Sequence, residues 1–174
     1  GFARIRVAQD RIQELPHTGV ASAIDIGNGR DIHPQNKQDV GKRLALWALR
    51  DVYGKKDITV TGPTYKGMKV EGNTVTISYD HIGAGLMADK KKDPFQPVVA
   101  TPEAKLASFA ISGADKKWHW ADASIDGNTV KLSSAEVAQP VAVRYAYRGN
   151  PANANLYNKD GLPAIPFRTD NKNP

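Results

Sequence analysis

The feature that most constrains this chain is a change of periodicity near residue 57. Before it, apolar residues recur at helical spacing; after it, they alternate and turn on Gly-Asn pairs. Over residues 3 to 15, Ile5, Ala8, Ile12 and Leu15 fall on one helical face, and Pro16 ends the helix. "GVASAIDIG", residues 19 to 27, is a run of small and apolar residues without alternation, the pattern of a strand covered on both faces in a parallel sheet. A Gly- and Asn-rich turn then leads to a helix expected from about Pro34 to Tyr53. Pro34 suits its first turn, Val40, Leu44, Trp47 and Ala48 form its buried stripe, and Gly54 is its C-cap.

Beyond residue 57, "KVEGNTVTISYDH" (69–81) reads as two strands about a Gly-Asn turn, and "WADASIDGNTVKLSS" (120–134) repeats the arrangement. So little else is shared that the two GNTV stretches read as the same turn chemistry used twice. "PVAVRYAY" (140–147) alternates like a half-buried strand, and "NANLYNKDGLPAIPFRTD" (153–170) reads as an extended tail docked on the body. The expectation is α/β plus all-β: an α-β-α piece over residues 1–57, then an antiparallel β-sandwich with its tail over 58–174. One strand and two helices do not bury their own apolar faces. Residues 1–57 therefore read as the end of a larger α/β domain whose beginning lies outside the chain.

Composition narrows the function classes. The chain has 174 residues, 40% of them hydrophobic and 24% charged, the balance of a folded domain. No apolar run approaches the roughly 20 residues that span a bilayer, so no membrane partner is expected. Residues 1 to 15 lack the basic and apolar regions of a signal peptide. Without cysteine there is no disulfide, thiol nucleophile or thiolate metal site. The net charge of +6 is scattered, and its densest run, Lys90 to Lys92, lies between Asp89 and Asp93 as a charged loop tip. No nucleic-acid partner is expected. The four histidines show no metal-ligand spacing, and no phosphate or dinucleotide loop occurs, so no metal or cofactor is expected.

One position carries chemistry. His33 stands between Asp31 and Pro34 in the loop between the expected strand and the next helix, the usual place for chemistry in open α/β sheets. There a histidine takes the proton of a nucleophilic serine and returns it to a leaving alcohol. On residues alone, with one histidine and no visible partner, an ordinary loop histidine is the favoured reading. His17, His81 and His119 read as surface or packing residues. None of Ser22, Ser78, Ser108, Ser112, Ser124, Ser133 and Ser134 lies in G-x-S-x-G; Ser112 in "AISGADKKW" is the nearest imitation. In a different class, Trp118, Trp120, Tyr145 and Tyr147 stand at alternate strand positions. They serve either as a sugar-stacking surface or, as alternation in a sheet favours, as core.

"TGVASAIDIG" followed by "DIHPQNKQDVGKRLALWAL" resembles the closing segment of the catalytic domain of bacterial sialate O-acetylesterases, members of the SGNH hydrolase superfamily. The likeness continues through "GPTYKGMKVEGNTVTISYDHIGAGL", "FAISGADKKWHWADASIDGNTV", "PVAVRYAY" and "NLYNKDGLPAIPFRTD", nearly the whole chain in order. It implies the last βα segment of a flavodoxin-like hydrolase domain followed by an accessory β-sandwich. It implies His33 as the catalytic base, with the serine in a GQSN-like block that this sequence lacks. The superfamily's D-x-x-H spacing is altered: Arg30 stands three before His33 and Asp31 two before. Asp31 is the candidate to orient the imidazole, a backbone carbonyl or a residue outside the chain being the alternatives, and Asp25 reads as a strand-end structural residue. The implied activity is a sialate 9-O-acetyl type esterase acting on an O-acetylated sugar in the periplasm or outside the cell. This chain is then its C-terminal part, inactive without the missing N-terminal part. A non-catalytic carbohydrate-binding β-sandwich is the alternative.

Overall fold

The computed structural model describes residues 1–89, 91 and 93–170. The chain is mostly sheet with few helices. Helix α1 spans Phe2–Asp10 and runs into a 3-10 turn over Arg11–Glu14; helix α2 spans Lys37–Asp51. Strands follow at β1 Thr64–Glu71, β2 Thr74–Asp80, β3 Leu86–Ala88, β4 Phe109–Ser112 and β5 Trp118–Trp120. The remainder are β6 Asp122–Asp126, β7 Thr129–Ser133, β8 Ala142–Tyr145, β9 Leu156–Asn158 and β10 Phe167–Arg168. Two antiparallel four-stranded sheets, ordered β1-β2-β7-β6 and β10-β8-β4-β5, are joined by a small β3-β9 pair.

Both expected hairpins form. β1 and β2 turn at Gly72, with φ +61°, and β6 and β7 at Gly127, with φ +57°, the left-handed backbone that glycine adopts without a Cβ clash. Period-2 patterning then decides the core. Val75, Ile77 and Tyr79 of β2 and Val130 and Leu132 of β7 face inward from the first sheet. Phe109, Ile111, Val143, Tyr145 and Phe167 face them from the second. Each such side chain contributes about 1.5–3 kcal/mol on full burial.

The closing segment is more than a docked tail. Leu156, Tyr157, Ala164, Ile165 and Phe167 are buried, and Phe167 stacks on Tyr65 at 4.8 Å between ring centroids. The Leu156 N–H donates to the buried Tyr145 hydroxyl at 3.1 Å. Asn158, fully buried, donates to the carbonyls of Thr61 and His81 and accepts from the Leu162 N–H. Polar satisfaction at Asn158 and Tyr145, invisible to apolar periodicity, fixes this segment.

Residues 1–57 depart from expectation in three respects. Residues 19–27 form no strand, and none of the strands among the described residues pairs with them. Helix α2 begins at Lys37, capped by Asn36 and not opened by Pro34, since the Asn36 side chain accepts the Asp39 N–H at 2.9 Å. Its expected apolar stripe is not buried: Leu44 is 50% exposed and Ala48 is exposed, and the buried position is Arg43. Gly54, at φ +71°, adopts the left-handed backbone expected after the helix.

Candidate functional site

Polar pins hold the segment ahead of α2. Arg43 and Trp47 lie one helical turn apart and face residues 19–25. The Trp47 indole donates to the Val20 carbonyl at 2.9 Å, and its ring lies so close to Gly19 that a Cβ there would fall 2.4 Å away. The Arg43 guanidinium forms a two-pronged ion pair with Asp25, at 2.7 and 2.8 Å, and also donates to the Ser22 carbonyl. Asp25 is thus the structural residue expected, but its partner is a helix residue that apolar patterning passes over.

Lys91 closes this cluster from the β-rich part. Its ammonium reaches Asp39 at 3.3 Å, the Pro94 carbonyl at 3.1 Å and Asp25 at 4.0 Å, with its side chain only 5% exposed. This corrects the expected solvated loop tip: Lys91 points inward because two carboxylates meet it there, whereas Lys90 and Lys92 lie outside the described residues. Asn36 adds a bond from its amide to the Pro94 carbonyl at 2.6 Å. Partial burial raises the Asp39 carboxyl, but Asn36, Lys91 and Lys42 more than offset this and leave it below its ordinary value.

Between these pins the chain turns tightly. The Asp31 N–H donates to the Asn28 carbonyl at 3.3 Å, and the Arg30 N–H to the Asn28 side chain at 2.9 Å. One oxygen of Asp31 then accepts both the His33 backbone N–H and His33 Nδ1, each at 2.9 Å. These two bonds hold the Asp31 carboxyl below its ordinary value. A carboxylate only accepts, so Nδ1 carries the proton and the neutral ring keeps its lone pair on Nε2, the tautomer a general base requires. His33 and Asp31 are both open to solvent. The two-residue spacing is therefore no obstacle to the pairing: an Asx-type turn brings carboxylate and ring together.

A cleft of about 790 Å³ opens beside this turn, walled by α1, residues 20–32, the 149–152 loop, Lys91 and Tyr157. Asp31 stands on its lip and His33 outside it. In its wall, burial pushes the Asp10 carboxyl up to about 6, with Glu14 adding to the rise and a Gln13 hydrogen bond opposing it. Among the described residues no serine hydroxyl is hydrogen-bonded to the His33 ring, and no group of three His, Cys, Asp or Glu gathers to hold a metal ion. No helix of the described residues is long and apolar enough to cross a membrane.

The other histidines are placed as follows. His81 Nδ1 meets the Thr64 hydroxyl at 2.8 Å, and burial lowers its pKa. His119 Nδ1 lies 2.6 Å from Glu136, a pairing across 17 residues that sequence reading missed because only sheet folding creates it. It lies on the edge strand β5 and does not line the cleft.

The four aromatic residues do not act as one set. Tyr145 is core, while Trp118 and Trp120 face outward, Trp120 being 58% exposed. Ala146, at φ +50°, ends the alternation of β8, so Tyr147 leaves the core face. The Arg144 guanidinium lies 3.9 Å from the centre of the Trp118 ring and 4.9 Å from that of Tyr147, and Arg168 covers Tyr147 at 4.9 Å. Arg168 also bonds the Tyr147 hydroxyl and, with Arg144, clasps Asp170.

A carboxylate-held imidazole at a helix entrance, with Nε2 left as its basic atom, has the geometry of the acid–base half of an acyl hydrolase. Comparison with known proteins finds esterases among its relatives. The chain is 31% identical over 170 residues to the sialate O-acetylesterase of Mus musculus, matching 88% of this chain and 28% of that protein. For the Homo sapiens sialate O-acetylesterase the identity is 29%, over 88% of this chain and 29% of that protein. A carbohydrate acetylesterase from Xanthomonas citri superposes with a TM-score of 0.85 at 42% identity, over 97% of this chain and 36% of that one. No family model matches. The chain is similar to sialate O-acetylesterases; those relatives are mammalian, where its motifs resemble bacterial enzymes, and the bacterial Xanthomonas citri protein is a carbohydrate acetylesterase. The chain spans less than a third of the length of the curated relatives it matches.

Proposed function

We propose that this chain supplies the histidine loop and the accessory β-sandwich of a carbohydrate O-acetylesterase of the sialate 9-O-acetyl type. The observation that carries the reading is the Asp31–His33 pair at 2.9 Å, at the entrance to α2, in a chain with these relatives. Residues 1–57 are then the last βα piece of the SGNH hydrolase domain and residues 58–174 its β-domain. The remainder of the domain brings the serine and covers the apolar side chains left open here, among them Phe2, Ile5, Ile12, Leu15 and Leu44.

In this reading His33 Nε2 takes the serine proton as the hydroxyl attacks the acetyl carbonyl. The imidazolium so formed is held by Asp31, then protonates the departing sugar oxygen; a second round with water releases acetate and restores serine. Without that nucleophilic serine the chain alone is inactive. The substrate is an O-acetylated sugar met in the periplasm or outside the cell, and neither nucleic acid nor membrane is a partner. The test is acetate release from 9-O-acetyl-N-acetylneuraminic acid by the full-length protein. His33→Ala is expected to lower kcat by about 10²–10⁴-fold, the usual range for a positioned acid–base group.

A non-catalytic sugar-binding module is the less favoured reading. It calls for a flat exposed row of rings, whereas Tyr145 is core and arginines cover Trp118 and Tyr147.

A further inference from the structure

We propose that Trp120 and Arg148 form a binding platform for an acidic sugar, one that carries a carboxylate. Register defines the surface. Ala110 pairs with both Trp120 and Arg144, Ser112 with Trp118 and Ala142, and Arg168 with Arg144. Paired residues share a face, so these side chains lie opposite the Phe109, Ile111, Val143 and Tyr145 core.

On that outer face most of the chemistry is already satisfied. Arg144 and Arg168 spend their charge on Asp170 and their planes on Trp118 and Tyr147. Trp120 and Arg148 differ from them. Among the described residues Arg148 has no carboxylate partner within ion-pair distance, although its guanidinium lies 5.5 Å from the Trp120 ring centre. Trp120 remains 58% exposed. An open indole offers the apolar face of a pyranose a stacking surface, and an unpaired guanidinium offers a carboxylate two parallel N–H donors.

The platform is pre-shaped. The Arg148 N–H donates to the Ala146 carbonyl at 3.0 Å, and the Arg6 guanidinium ties down the Arg148 and Gly149 carbonyls. Two residues on, the Asn150 amide packs on Gly29, where a Cβ would fall 2.4 Å from its nitrogen. That contact joins the Arg148 loop to the turn carrying Asp31 and His33. An acidic glycan held by Trp120 and Arg148 thus sits on the loop that packs through Asn150 against Gly29 of the histidine turn, and its role as a specificity subsite rests on the acetylesterase reading. Fixed backbone lowers the ordering cost of binding.

The test is a titration of the chain followed through its three indole N–H resonances in a 15N-labelled sample. The probes are the methyl α-glycoside of N-acetylneuraminic acid, sodium glucuronate and, as a neutral control, methyl α-glucoside. The expected result is a saturable shift of the Trp120 signal with both acids, while Trp47, bonded to Val20, stays in place. Trp120→Ala abolishes saturable binding. Arg148→Gln, at an exposed position and with an otherwise unchanged spectrum, weakens the acids about tenfold and removes their advantage over the neutral sugar. Absence of a saturable Trp120 shift, equal affinity for the neutral sugar, or acid binding by Arg148→Gln at the original strength overturns the proposal. The readout is binding, so a failure to release acetate bears on the esterase reading alone.

Discussion

Arg43 and Asp25 meet in a two-pronged ion pair, at 2.7 and 2.8 Å, with side chains 8% and 2% exposed. It fastens helix α2 to the segment that leads into the histidine turn. Removing Arg43 leaves the Asp25 carboxylate buried with only Lys91, at 4.0 Å, as a counter-charge among the described residues. Arg43→Met is therefore expected to cost about 3–5 kcal/mol in urea unfolding, and Asp25→Asn/Arg43→Met less than the sum of its single changes.

Two buried tyrosines on opposing sheets make a matched pair of tests. The Tyr145 hydroxyl accepts the Leu156 N–H at 3.1 Å, whereas the Tyr79 hydroxyl is buried with no hydrogen-bond partner among the described residues. Tyr145→Phe strands a buried N–H and is expected to destabilise by about 1–3 kcal/mol. Tyr79→Phe removes an unsatisfied hydroxyl and is expected to be neutral or stabilising. Thermal unfolding of the two variants side by side checks both.

These contacts show where sequence reading reaches its limit. The hairpins at Gly72 and Gly127 and the alternating core of β2 and β7 were legible because local turn chemistry and period-2 burial coincide there. The pairing of His33 with Asp31 was legible as a candidate because both lie in one turn. Lys91 was misread, since its carboxylate partners Asp25 and Asp39 come from distant parts of the chain. Residues 19–27 carry the pattern of a buried parallel strand but have no partner strand here, so pattern and structure part company. Likewise Trp118 and Trp120 alternate as core residues do, yet the register pairs them with Ser112 and Ala110 on the face opposite Phe109 and Ile111.

Asp170 provides a pH test. Burial raises its carboxyl, but hydrogen bonds and charge from Arg168 and Arg144 more than offset this and hold it at about 2. Its folded value lies below the ordinary one of about 4, so the ionised group stabilises the fold above about pH 4. That contribution is lost as pH falls toward 2. Denaturation between pH 6 and pH 2 is expected to show a loss on the order of 1 kcal/mol in the original chain that is missing in Asp170→Asn.

The Asp31 contact makes a prediction about His33 that needs no substrate. With the ring neutral, 15N spectra of the imidazole are expected to show the proton on Nδ1 as the dominant form. Asp31→Asn is expected to lose that preference, since an amide offers both donor and acceptor to the ring. An unchanged tautomer ratio in Asp31→Asn would show that the carboxylate does not orient the ring.

The central claim is that His33 is the base of an acetylesterase whose nucleophile lies outside this chain. The most direct measurement is acetate release from an acetylated sugar, with intact mass confirming each species. It compares this chain, the full-length protein and the full-length His33→Ala variant. The account predicts release by the full-length protein alone. Retention of the original rate by full-length His33→Ala, or turnover by this chain without a partner that His33→Ala abolishes, would contradict it.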